Sequence, residues 1–366
     1  MLKRKGGLSL TVQGELILVI NPGSTSTKVA VFAGEERLFG KTYDHAAEWL
    51  AGCATILEQL PGRAECVRQG LRDSGVDPQH LAAVACRGGR FRPLPSGTYL
   101  VNERMLDDAR TGRQGFHASN LACLIGHEIA KELGIPAYVV DPVSVDELSP
   151  VARVSGLPQL ERFSLSHALN LKAVARKAAA QLGKPYDQAN LIVAHLGGGG
   201  SIGMHHGGRM VDIYNCDVEG PFALERSGSL PTTSLVELCF SGKYSKEEVL
   251  KLLSGQGGVY AHLGTRDLRE VEARARSGDE RATLLMEAMI YLFAKYIASL
   301  APVVDGQIDA VVLTGGAMNS QWLREGITKR VAFLAPVLVY PGGMEEEALA
   351  AGALRVLRQE EAPLTY

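Results

Sequence analysis

Three turns in this chain carry residue types that could handle a phosphate. Asn21–Lys28 reads N-P-G-S-T-S-T-K and lies between the apolar runs LILVI and VAVF. Gly23 lets backbone approach an anion closely, Ser24, Thr25 and Ser26 offer hydroxyl donors, and Lys28 adds a charge if it points inward. The segment is not a Walker A loop, because G-x-x-x-x-G-K-[ST] is absent and an apolar strand follows instead of a helix. Leu191–Ser201 reads LIVAHLGGGGS, a buried strand running into Gly197–Gly200, and Ala310–Gly316 reads AVVLTGG. Glycine runs cost conformational entropy and are best tolerated where backbone wraps closely around a ligand. Any one of these turns could be an ordinary tight turn. Three strand-to-Gly/Ser turns in one chain form the pattern expected of a nucleotide cleft between two domains.

The elements that must position these turns are legible as short β-branched runs: Leu16–Ile20, Val29–Phe32, Ala82–Ala85, Ala137–Val140, Leu191–His195, Ala310–Leu313 and Val337–Tyr340. Between them, helical periodicity marks Asn120–Leu133, His167–Leu182, Ser245–Leu253, Asp279–Leu300 and Glu345–Leu357. In Asp279–Leu300 the residues Met286, Ile290, Phe293, Ile297 and Leu300 share one face, which predicts a core helix. The alternation reads as an α/β fold with helix-covered sheets. The proline-bearing, aperiodic stretch Asp141–Gly156 is the expected domain crossing. Strand, glycine-rich turn and strand occur at Leu16–Phe32 and again at Leu191–Met204, hinting at two similar halves.

With 366 residues, 46% hydrophobic and 21% charged, and a formal net charge of -2, the chain has room for two cored domains. That balance offers no electrostatic case for nucleic acid or an anionic membrane as partner. The six cysteines include no C-x-x-C pair and read as inert thiols, neither a disulfide frame nor a metal site. Lys3, Arg4 and Lys5 are not followed by an apolar region with a cleavage site, so no signal peptide is read. Met286–Val304, the longest apolar stretch, carries Glu287 and Lys295 and is expected to be too polar to span a bilayer. A cytoplasmic location is therefore expected.

On these residues the chain resembles the acetate and butyrate kinase family of the actin-like ATPase superfamily, from Leu16 to the C-terminal helix. Asn21–Lys28 matches the family's N-x-G-S-[ST]-S-x-K, and His195–Ser201 is similar to its H-L-G-x-G-x-S. The form NPGSTSTK, Cys86–Gly89 (CRGG), Asp141–Val143 (DPV), His167–Asn170 (HALN), Glu219–Gly228 (EGPF and ERSG), Cys239–Tyr244 (CFSGKY) and the closing AAGALRVL resemble the butyrate kinase branch more closely. The resemblance implies two ribonuclease H-like βββαβαβα domains flanking a nucleotide cleft. Domain I would be residues 1–145, with 346–366 returning to it, and domain II residues 146–345. It implies reversible phosphorylation of a small carboxylic acid, butyrate first, to its acyl phosphate by ATP with Mg²⁺, in a homo-oligomer of at least two chains. Acetate, propionate or a branched acid are the alternative substrates, and an ATP-binding sensor without catalysis is the alternative of another class.

Transfer of a phosphoryl group to a carboxylate needs charge neutralisation, in-line positioning and a divalent cation. The acceptor is already ionised at neutral pH, so no strong base is needed. By resemblance, Arg87 and Arg226 hold the acid's carboxylate and the transferring group, a task suited to arginine's planar fork. His167 would donate to the phosphoryl oxygens, His195 would contact the nucleotide side, and His117 aligns with a third family histidine. Asn21 would orient phosphate or the metal's water shell, and Asp141 would position substrate or metal-bound water. Ser24, Ser26, Lys28, Gly197, Gly198 and Gly199 would line the phosphates. Thr314, Gly315 and Gly316, with Asp267 and Arg269, would meet the adenosine, although a helix-start ion pair explains the last two equally well. Glu345 is the expected magnesium-associated glutamate, with Glu346 as the alternative. The chain departs from acetate kinases at Gly198, where they carry Asn, and at His167–Leu171, where their second histidine is missing.

Overall fold

Strand β1 (Leu16–Pro22, LILVINP) is buried at every position, which is what a continuous apolar run needs between two sheet neighbours. In the computed structural model, which describes residues 14–366, it lies between β2 (Ser26–Ala33), antiparallel, and β4 (Leu81–Arg87), parallel. β3 (Glu36–Asp44) is largely exposed and closes the edge. Beyond β4 come β6 (Ala137–Val140), parallel, then the short β5 (Thr98–Leu100) and β12 (Leu364–Thr365). The seven-stranded order is β12-β5-β6-β4-β1-β2-β3.

A second, five-stranded sheet has the order β11-β10-β7-β8-β9. Its strands are β7 (Leu191–Leu196), β8 (Gly200–His206), β9 (Arg209–Asn215), β10 (Ala310–Gly315) and β11 (Val337–Pro341). The antiparallel β7-β8-β9 meander beside parallel β10 and β11 repeats the β1-β2-β3, β4, β6 arrangement of the first sheet. The two halves echoed in the sequence thus share one topology.

The chain divides into two compact units. The first takes the described chain up to Phe91, Gly97–Pro142 and Glu346–Tyr366; the second takes Arg92–Ser96 and Val143–Glu345. The crossing falls at Pro142/Val143, three residues before the expected one after Val145, and Arg92–Ser96 visits the second unit because Leu94 bridges Val145.

In the second unit, Ile192, Ala194 and Leu196 of β7 and Val311 and Leu313 of β10 face a core with Phe293, Ile290 and Ile297 of the helix Glu280–Ala298. The period-two alternation then turns His195 and Thr314 to the other face, toward the helix Ala168–Gln181. Counted through Val304, the core helix is long and apolar enough by composition to cross a membrane, which corrects the expectation drawn from Glu287 and Lys295. Its apolar residues Met286, Met289, Ile290 and Phe293 are spent on the core instead. All six cysteines are free. Burial pushes the Cys123 thiol up to about 12, in keeping with an inert core residue.

One buried group makes the fold sensitive to acid. His205 on β8 is fully buried, with Tyr186 Oη 2.8 Å from its Nδ1 and no partner at Nε2. Burial, then the nearby charges of Lys172 and Arg176, hold its pKa well below the ordinary 6.5. The ring stays neutral in the fold but takes up a proton on unfolding. Its contribution is therefore complete above pH 6.5 and is lost as pH falls below that value. The loss approaches about 1.4 kcal/mol per pH unit. Replacing it with a polar side chain that does not titrate (His205→Gln) should flatten the decline of thermal midpoint between pH 6.5 and 5 by one proton's worth. An unchanged acid limb would show that another group carries it.

Candidate active site

In the first unit, adjacent parallel strands deliver one residue each at their carboxyl ends, where open α/β sheets bind ligands. The register sets Ile20 beside Cys86 and Arg87 beside Val140, so Asn21, Arg87 and Asp141 emerge side by side. Arg87 Nη1 donates to Asn21 Oδ1 at 3.0 Å. Asn21 Nδ2 in turn donates to Glu346 Oε1 at 3.1 Å, across 325 residues of sequence. Lys28, paired with Asn21 across the β1–β2 hairpin, stands 3.6 Å from the same carboxylate, and Arg37 holds its other oxygen at 3.1 Å. Asp141 sits in the left-handed region (φ 38°) and is buried, its Oδ1 accepting from the Gly97 amide at 2.8 Å. The turn itself exposes Ser24 and leaves Ser26 half-buried. His117 accepts from the Ser119 amide at the start of the helix Asn120–Leu133, and Ser119 Oγ donates to the Pro22 carbonyl.

The serine-rich turn is held from behind by a residue that motif reading missed. Arg63, in the helix Leu60–Ser74, is completely buried. It uses all five of its N–H donors: Nε and Nη2 to Gln59, Nη2 to the Ser24 carbonyl, and Nη1 to the Ser26 carbonyl and Thr27 Oγ1, at 2.9–3.1 Å. A signal existed in the sequence, since Arg63 precedes Val67 and Leu71 by one and two helical turns and so stands on the helix's apolar stripe.

The second unit gathers its own set. His167 immediately precedes the helix Ala168–Gln181 and stacks on His195, with ring centroids 4.2 Å apart and planes 12° from parallel. His167 Nδ1 lies 2.9 Å from Ser201 Oγ, and His195 Nδ1 2.8 Å from Asn170 Nδ2. A side chain at Gly200 would strike Cys216 Sγ at 2.6 Å and Phe293 at 2.9 Å, so packing demands that glycine. Packing does not demand the other three. A Cβ on Gly197, Gly198 or Gly199 comes no closer than 3.4 Å to its neighbours, which are His195, Glu225, His167 and Arg226. Arg226 is aimed by two carboxylates, Asp217 at Nε and Glu225 at Nη1, and Glu225 also meets Arg266 at 3.0 Å. On the parallel neighbour β10, Thr314 aligns with His195. Gly315 (φ 96°) must be glycine, because a Cβ there would lie 2.3 Å from the Leu196 carbonyl.

Other expected residues fall differently. Asp267 caps the helix Leu268–Arg276 and pairs with Arg269 at 2.7 Å, the guanidinium holding its carboxyl down to about 2. That is the helix-start ion pair, with Arg269 almost fully exposed. Glu345 turns its carboxylate back over Gly343, while Glu346 is the glutamate that reaches Asn21. Among the described residues no three His, Cys, Asp or Glu side chains converge as metal ligands.

The model of the acetokinase family matches residues 161–338. The "probable butyrate kinase 2" of Caldanaerobacter subterraneus subsp. tengcongensis is 48% identical over 350 residues, covering 96% of this chain and 99% of that protein. Among solved structures, the acetate kinase of Porphyromonas gingivalis aligns with a TM-score of 0.77 at 21% identity, over 94% of this chain and all of that one. A propionate kinase from Francisella tularensis gives 0.72 at 21%, over 92% and 98%. These structural likenesses establish the actin-like ATPase fold, and the near full-length relative establishes descent. The chain belongs to the acetokinase family.

Proposed function

We propose that this protein is a butyrate kinase, transferring the γ-phosphoryl group of ATP reversibly to the carboxylate of butyrate. Membership of the acetokinase family makes it a phosphotransferase with a carboxyl group as acceptor. The observation that supports the chemistry best is the run Gly197–Gly199. Nothing in the protein's own packing forbids a side chain there, yet it stays bare backbone beside His167, His195 and Arg226. Backbone free of side chains and flanked by imidazoles and a guanidinium suits phosphoryl oxygens, although the Gly197 amide itself donates to the Gly199 carbonyl at 2.8 Å. The choice of butyrate leans on the 48% identical relative.

In the proposed reaction a carboxylate oxygen attacks the γ-phosphorus, and the β–γ bridging oxygen leaves with ADP. Arg226, pre-aimed by Asp217 and Glu225, takes the transferring group, and His167 donates a hydrogen bond to its oxygens. Arg87, fixed on Asn21, holds the acid's carboxylate. Ser24, Ser26 and Lys28 face the nucleotide phosphates, and Thr314–Gly316 with Asp267 and Arg269 face the adenosine. Asp141 shapes the strand end beside Arg87. Glu346, through Asn21, is the glutamate best placed to meet Mg²⁺, with Glu345 one residue away. The residues fit a cation that arrives on the nucleotide, and when bound it neutralises phosphate charge. The enzyme would work in the cytoplasm as a homo-oligomer of at least two chains.

One methylene in an acyl pocket is worth about 1–3 kcal/mol, or roughly tenfold to two-hundredfold. Across straight and branched acids from C2 to C5, kcat/KM with ATP and Mg²⁺ should therefore peak at butyrate, with acetate at least about tenfold lower. Equal or better turnover of acetate would reassign the substrate. Arg226→Ala should reduce acyl phosphate formation about 10²–10³-fold while ATP still binds. Full activity in that variant would remove Arg226 from the site. ATP binding without acyl phosphate from any acid, in the unaltered protein, would favour a sensor.

A further inference from the structure

The second unit contains a buried amide that decides where one imidazole keeps its proton. Asn170 is 1% exposed, Thr314 0% and His195 7%, so the hydrogen bonds among them form away from water. The Met344 amide donates to Asn170 Oδ1 at 2.9 Å. A backbone N–H can only donate, so the oxygen of the side-chain amide must face Met344. The NH₂ group then faces His195 Nδ1 at 2.8 Å and Thr314 Oγ1 at 3.3 Å. Thr314 spends its own hydroxyl proton on the Gly342 carbonyl at 3.2 Å, leaving its lone pairs to accept from Asn170. Every donor in the cluster has one direction that satisfies all partners.

It follows that His195 Nδ1 is an acceptor and that the ring is neutral with its proton on Nε2. Nε2 is the atom that faces the glycine run, 3.5 Å from the position a Cβ on Gly197 would occupy. An N–H there attracts a phosphoryl oxygen, whereas the other tautomer would present a lone pair and repel it. We propose that Asn170 is a positioning residue that fixes His195 as an Nε2–H donor and ties together the carboxyl ends of β7 and β10 and the turn after β11. This rests on the reading of His195 as a group that meets the nucleotide's phosphates. An aspartate at the same place would keep the Met344 contact but accept a proton from Nδ1, inverting the ring's polarity.

The test uses the full-length protein labelled with ¹⁵N-histidine, in which long-range ¹H–¹⁵N correlations report the protonated nitrogen of each of the nine histidines. His195 is assigned by the signals lost in His195→Gln. The expected result at pH 8 is an Nε2–H ring in the wild type and an Nδ1–H ring in Asn170→Asp. With that inversion kcat should fall about tenfold to a hundredfold. An Nδ1–H ring in the wild type overturns the proposal, and that spectrum decides even if the variant does not fold. An Nε2–H ring that persists in Asn170→Asp overturns it as well. Inversion of the tautomer with undiminished kcat supports the hold of Asn170 on the ring and overturns the catalytic reading of His195.

Discussion

The buried fork of Arg63 holds the serine-rich turn after β1 from behind, and the proposed phosphate contacts of the first unit depend on that turn. A turn that must approach phosphate closely is made of glycine and small hydroxyls, and such residues bring no apolar core to hold them in place. Something behind the turn must fix its carbonyls. Arg63 does so with five hydrogen bonds to neutral oxygens of Gln59, Ser24, Ser26 and Thr27. Burying a guanidinium without a carboxylate beside it is costly, and only full use of its donors offsets the lost hydration. Desolvation shows in its pKa, which is pulled below the ordinary arginine value. The second unit meets the same demand without a charge, since Asn170 binds His195, Thr314 and Met344 from behind the glycine run.

The repeated topology explains why both units carry their polar residues at equivalent places. In each sheet the central strand has an antiparallel partner on one side and two successive parallel strands on the other. Parallel strands end together, so their last residues converge without any loop having to reach far: Asn21, Arg87 and Asp141 in one sheet, His195 and Thr314 with Gly342 in the other. Carboxylates then aim the cations. Glu346 engages Lys28 and Arg37, and Asp217 and Glu225 orient Arg226. Pre-aimed charge in a fixed frame suits a reaction limited by positioning and neutralisation, not by proton removal.

Much of this frame was legible in the sequence because buried parallel strands are written as continuous apolar runs. β1, β4, β6, β7 and β10 all announced themselves in that way, and the half-buried edge strand β11 did so through its run VLVY. Helices with capping signals were legible too. Ser245 and Glu248 form a capping box, and Asp279 accepts from the Ala282 amide. β3 was not legible, because an exposed edge strand needs no apolar alternation. The helix Leu60–Ser74 was hidden by Pro61, Gly62 and Gly70 and by an arginine on its apolar face. Within the site, residues inside local motifs could be named, but their partners could not. The Asn21–Glu346 bond spans 325 residues, and no spacing rule encodes it. Glu345 and Glu346 are neighbours in sequence and differ only in which way the helix start turns them. Asp267 and Arg269 were ambiguous for the opposite reason, since a local ion pair satisfies the same two residues.

The proposed reaction turns on direct attack of a carboxylate oxygen on the γ-phosphorus. Butyrate carrying ¹⁸O in both carboxylate oxygens, incubated with ATP, Mg²⁺ and the full-length protein, tests it by the isotope shift of the product's ³¹P resonance. Direct attack gives an acyl phosphate with ¹⁸O in the bridge between carbon and phosphorus. An acyl phosphate whose bridging oxygen came from ATP, or the absence of acyl phosphate, would contradict it.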